Sequence, residues 1–173
     1  MAPISLSDTD IARLLESIAD PRTAVLVRML VIEGFGLGEI LALDHEQIIG
    51  PRKSMSAELE RHGRPMSIAL DVDTAAAITT LRASGAITGP LLTSTSNGKG
   101  AGRITRFGAD YLIKQASLAA GLPMAVSANV LRRSHAAAAQ RRGVHIMDTR
   151  DRMGHQDVRT THRHLVDGNS STP

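Results

Sequence analysis

The run Ala24-Val25-Leu26-Val27-Arg28-Met29-Leu30-Val31-Ile32 constrains this chain more than any other stretch. Arg28 alone interrupts it, so no single stripe can face a core while the rest faces water. A helix that is apolar nearly all round has to be surrounded by other elements. The run is too short to span a bilayer, which takes about 20 apolar residues. Pro21 fits the first position of such a helix, and Pro also disfavours helix at Asp20 before it. Upstream, Ser7 can cap a helix whose Asp8 and Asp10 suit its positive end and whose Ile11, Leu14, Leu15 and Ile18 fall at helical spacing. Downstream, Gly34-Phe35-Gly36-Leu37-Gly38 breaks the central helix and Glu39-Ile40-Leu41-Ala42-Leu43 forms a short one.

The remainder reads as helices with one small β region. Residues 47–70 should hold short strands, with Ile48-Ile49 as one fragment and Met66-Ser67-Ile68-Ala69-Leu70 as another. Asp73 should cap a helix reaching Arg82. The Gly/Ser-rich residues 93–102 lack the residue order of a phosphate-binding P-loop and read as a surface loop. A helix over residues 106–119 should end at Gly121-Leu122-Pro123. Ser127 or Asn129 begins another, which ends at Arg141-Arg142-Gly143 with cations in its last turn. Two short helices, over residues 146–153 and 158–165, complete a single domain of residues 1–166. Residues 167–173 form a flexible tail.

Charge is unevenly placed. Residues 103–164 hold ten Arg and one Lys against four Asp, while residues 1–46 are acidic. A basic half beside an acidic half points to an anionic partner. With 2% aromatic residues the core must come from Leu, Ile, Val, Ala and Met, and a stacking platform for single strands is disfavoured. The chain has no Cys, which excludes disulfides and thiolate metal sites. No signal pattern opens it, so a cytoplasmic protein without a membrane partner is expected.

The most Arg- and His-rich stretch reads Asn129-Val130-Leu131-Arg132-Arg133-Ser134-His135 and an Ala run, then Gly154-His155, then Thr160-Thr161-His162-Arg163-His164. It resembles the C-terminal box of the tyrosine recombinases, the phage-integrase family. That box runs His-x-Leu-Arg-[Arg/His]-[Ser/Thr]-[Phe/His]-Ala, then Leu-Gly-His, then Thr-Thr-x-x-Tyr. Residues 33–43 similarly resemble the family's first box, Thr-Gly-Leu-Arg-x-x-Glu-[Leu/Ile]-Leu-x-Leu. The resemblance implies an α+β fold, mainly α: a recombinase-like catalytic domain, helical with a small antiparallel β-hairpin. It also implies a family activity, in which a Tyr hydroxyl attacks a DNA phosphodiester without metal or other cofactor. Two Arg clamp the phosphate, His residues donate and move protons, and a hairpin Lys protonates the leaving oxygen. The family's separate core-binding domain is not expected in a chain of this length.

Carried over residue by residue, Arg132 matches the second catalytic Arg and His155 the His of the Gly-His pair. Asn129 stands in place of a His, Gly36 in place of the first Arg, and His164 in place of the nucleophilic Tyr. The hairpin Lys falls near Arg61, with Lys53 as the alternative. Tyr111, the only tyrosine, lies in an earlier helix and reads as structural. Three His close in sequence (His155, His162 and His164) raise a zinc reading, but no spacing matches a zinc motif and no metal is expected. The expectation is a duplex-DNA-binding protein without strand cleavage, contacting phosphates through Arg132, Arg133, Arg103, Arg106 and Lys99, with Arg61 and Lys53 at the hairpin. One alternative is a partner or regulator that joins an active integrase or its own copies through the segment 158–165. Another is an active recombinase that uses His164.

Overall fold

A computed structural model describes residues 5–94, 102–122, 126–156, 159, 161 and 162. Its elements are α1 (Asp8–Glu16), α2 (Pro21–Val31), α3 (Leu37–Ala42), β1 (Ile48–Ile49), β2 (Ser56–Arg61), β3 (Arg64–Ala69), α4 (Val72–Ser84), α5 (Arg106–Ala119), α6 (Ala128–Arg141) and α7 (Ile146–Met153). Single 3-10 turns at His45–Gln47 and Arg52–Ser54 flank β1.

The central helix is α2. Val25, Leu26, Val27, Met29, Leu30 and Val31 are all buried, because α1, α4, α5 and α6 pack around it. Polar groups start each of several helices. Ser7 Oγ accepts from the Asp10 amide at 3.1 Å, Asp20 from the Thr23 amide at 3.0 Å, and Thr105 from the Gly108 amide at 3.1 Å. Of the two candidates for the start of α6, Ser127 is the cap and accepts from the Val130 amide. For α4 the cap is Asp71, not Asp73. Asp71 accepts from the Asp73 amide at 2.9 Å, which makes Asp73 a first-turn residue.

The sheet is antiparallel in the order β1-β2-β3. Its middle strand is six residues long and only weakly announced, because Ala57 and Leu59 are the sole apolar residues alternating within the mostly polar Ser56-Ala57-Glu58-Leu59-Glu60-Arg61. The ladder runs from Ser56 opposite Ala69 to Arg61 opposite Arg64. Pro65 sits in β3, an edge strand, where a missing amide breaks no inner ladder. His62 and Gly63 make the turn, both with positive φ.

Candidate functional site

Two walls meet where the chain turns from α2 into α3. One wall is α6 with the end of α7. Arg132 projects from the second turn of α6. Its Nη2 donates to the Met153 carbonyl at 2.8 Å and lies 3.3 Å from His155 Nε2, while its Nε lies 3.4 Å from the Gly34 carbonyl. Guanidinium only donates, so His155 Nε2 accepts and Nδ1 donates to Thr161 Oγ1 at 2.8 Å. That pairing fixes the ring's orientation. Gly154 takes φ +70° at the end of α7 and turns the chain so that His155 faces Arg132. Burial lowers the Arg132 pKa, and neighbouring Arg61 adds to the effect against the opposing pull of Glu39.

The other wall is α3 with the end of the hairpin. Gly36 precedes α3, and its amide donates to Glu39 Oε2 at 2.7 Å. A Cβ at Gly36 would lie 3.7 Å from Arg132 Nη1. Residue 36, where the sequence resemblance puts the first Arg, therefore faces Arg132, but without a side chain. Arg61 lies behind it. Its side chain is only 3% exposed and pairs with Glu39 through two bonds, Nε to Oε1 at 2.7 Å and Nη2 to Oε2 at 3.2 Å. Its Nη1 donates to the carbonyls of Asp151 and Arg152, and the guanidinium lies over the Phe35 ring. Arg61 ends β2 rather than sitting in the turn, and its donors are committed to the protein.

Beneath both walls is Glu33, which is wholly buried. Its carboxylate pairs with Arg152 of α7 and accepts from the Asp71 amide at the start of α4. His135 is buried beside it on α6, with Nδ1 3.2 Å from the Val31 carbonyl. Burial depresses its pKa to about 4. Gly34, at φ +75°, leaves room for this ring, since a Cβ there would come within 2.6 Å of it.

The remaining predicted residues are scattered around this centre. Asn129 is exposed one turn before Arg132. Arg133 is half-buried, and its Nε has no partner among the described residues. Arg103 is tied to Asp44 at 2.6 Å and to the Leu41 and Leu43 carbonyls, so it fastens the end of α3. Arg106 is exposed at the start of α5, and Lys53 is exposed in the turn after β1. Lys99 and His164 lie outside the described residues. Tyr111 is not a core residue, being 56% exposed. Among the described residues no three His, Asp or Glu side chains are placed to hold a metal ion, and no helix is long and apolar enough to cross a membrane.

Sequence reasoning missed Glu33, Glu39, Arg152 and the role of Arg61. Glu39 did carry a signal, as the acidic position of the first-box pattern. The partners of the other three lie far apart in the chain, and no local pattern announces them.

No protein-family model and no curated protein sequence matches the chain. Solved structures do. XerA recombinase superposes with a TM-score of 0.81 at 23% identity, over 94% of this chain and 58% of that one. A post-cleavage complex of XerH site-specific recombinase with its palindromic difH substrate gives 0.77 at 17%, over 98% and 51%. The catalytic domain of bacteriophage HP1 integrase gives 0.64 at 17%, over 96% and 89%. The chain thus spans between half and three-fifths of the two Xer proteins, but most of the isolated HP1 domain. A mainly helical body with a small three-stranded antiparallel sheet is the fold of a tyrosine recombinase catalytic domain.

Proposed function

We propose that this protein is a tyrosine-recombinase-type domain that binds duplex DNA without cutting it. The observation that carries the reading is the asymmetry around Arg132. Its Nη1 faces the position of residue 36, where a second guanidinium would complete a phosphate clamp, and that residue is glycine. Arg132 and His155 still form one hydrogen-bonded unit that could hold a single phosphate. Strand cleavage asks for more. Removing one donor to a transition-state charge costs roughly 2.7–4 kcal/mol in other enzymes. The sequence also offers His164 where the resemblance puts the nucleophilic Tyr. The XerH structures hold difH DNA, and duplex DNA is the partner we assign to this chain.

The test is fluorescence anisotropy on a labelled random duplex across a salt series, with wild type beside Arg132→Ala/Arg133→Ala. Binding should weaken steeply with salt, and the variant should shallow the slope by about 1 for each phosphate it no longer neutralises. The same protein on a nicked duplex should give no covalent adduct. An adduct that His164→Ala abolishes would establish cleavage through His164 instead. Absence of binding at low salt would remove the DNA role.

A further inference from the structure

The chain has three aromatic residues. Phe35 is buried under Arg61. The other two stand in water on one helix: Phe107 is 84% exposed and Tyr111 is 56% exposed, both on α5. Leu118, on the same helix, is 72% exposed. Phe107, Tyr111, Lys114 and Leu118 follow at spacings of four, three and four, which puts them on one face. The opposite face of α5, with Ala109, Ile113 and Ala116, is buried in the core. The helix is therefore apolar on two sides, and only one of them is covered. A folded domain in water rarely leaves a contiguous apolar stripe bare without a partner for it.

The order of residues along the stripe specifies the partner. Read in either direction, it has a large apolar side chain at each end and a Tyr–Lys pair in the middle. Turning one copy of α5 end over end onto another sets Phe107 against Leu118 and Tyr111 against Lys114, twice over. An ammonium against a Tyr ring is favourable. Asp110 precedes Tyr111 and is exposed, so each Lys114 also meets a carboxylate across the axis. A surface that complements itself in residue order and charge under a half-turn makes an isologous interface.

We infer that the exposed face of α5 is a two-fold docking surface for a second copy of this chain, with helices antiparallel and Phe107 seated against Leu118. Four stripe residues and Asp110 are far fewer than the roughly 20–30 residues a side of a standard interface, so the association is weak and concentration-dependent. It needs no DNA and does not rest on the proposed function above.

Sedimentation equilibrium of the DNA-free protein tests it. The average mass should rise towards twice the monomer, with a midpoint on the order of 100 µM. Leu118→Asp should weaken association at least about tenfold, and so should Lys114→Asp, which sets two carboxylates together. Adding Asp110→Lys to Lys114→Asp exchanges the charges and should restore dimerisation. All these side chains are exposed, so circular dichroism should show each variant folded. The absence of native Cys allows a register test. Phe107→Cys mixed with Leu118→Cys should form a disulfide-linked dimer on oxidation, whereas each alone should form far less. A protein monomeric at every concentration would overturn the proposal. So would dimers that survive Leu118→Asp, or equal cross-linking in the single and mixed samples.

Discussion

The two arginines at the centre of the site, Arg132 and Arg61, show how differently one side chain type can be used within one site. Arg61 is sealed in. Glu39 takes two of its donors and two α7 carbonyls take a third. Arg132 is half-open, has no carboxylate bonded to it among the described residues, and directs Nη1 at the space over Gly36. Burial works against its charge, as the downward shift of its pKa shows. Arg61 has the bonding expected of a structural strut. Arg132 has that of a cation with no carboxylate bonded to it among the described residues. A count of charges treats the two residues alike, and the structure separates them by which already has a carboxylate.

The sharpest way to break this contrast is to remove each cation in turn. Arg61→Met should destabilise by roughly 3 kcal/mol in urea unfolding, because it strands the half-buried Glu39 carboxylate and two carbonyls. His135 should give the next largest effect, and it reads the floor beneath both arginines. Its folded pKa, about 4, lies below the ordinary value of 6.5. Between those values the unfolded chain binds a proton that the folded one refuses. Stability is therefore complete above pH 6.5 and falls as the pH drops towards 4, by on the order of 2–3 kcal/mol. His135→Phe should flatten that part of the stability–pH profile. Arg132→Met should cost less than about 1 kcal/mol of stability while lowering DNA affinity, as expected where stability was given up for function. Equal losses at Arg61 and Arg132 would show that the two are not distinct. Smallest of all, Gly36→Arg should steepen the salt dependence of DNA binding by about 1. Its backbone, at φ −71° and ψ 144°, accepts any residue.

Much of this arrangement is legible in the sequence. The all-round apolar run had to be central, and α6 and α7 fall where Ser127, Gly143 and Gly154 place their ends. Arg132 and His155 lie in the stretch that resembles the C-terminal box and Gly36 in the one that resembles the first, and the fold brings these two stretches together. The structural role of Arg61 is not legible. Its partner Glu39 is 22 residues away and the carbonyls it holds are 90 and 91 away, so its burial exists only once β2 and α7 have met. Asp71 and Asp73 are both good caps by type, and only the backbone at Val72 decides between them. The exposed rings on α5 escape a sequence reading for a different reason. Their spacing marks a helix face, but which face of α5 is covered is set only when the helix packs against α2.

Gly154 and Arg61 also limit how this protein can change over time. A Cβ at residue 154 would come within 2.7 Å of the Arg61 guanidinium, and residue 154 already takes a left-handed backbone. No single substitution at 154 can be accommodated while Arg61 stays where it is. Shortening Arg61 first gives up the bonds to Glu39 and α7 before anything is gained. The two positions can be exchanged only together, and each single step between the present pair and a new one passes through a less stable protein. Selection for folding alone would retain this glycine and this arginine.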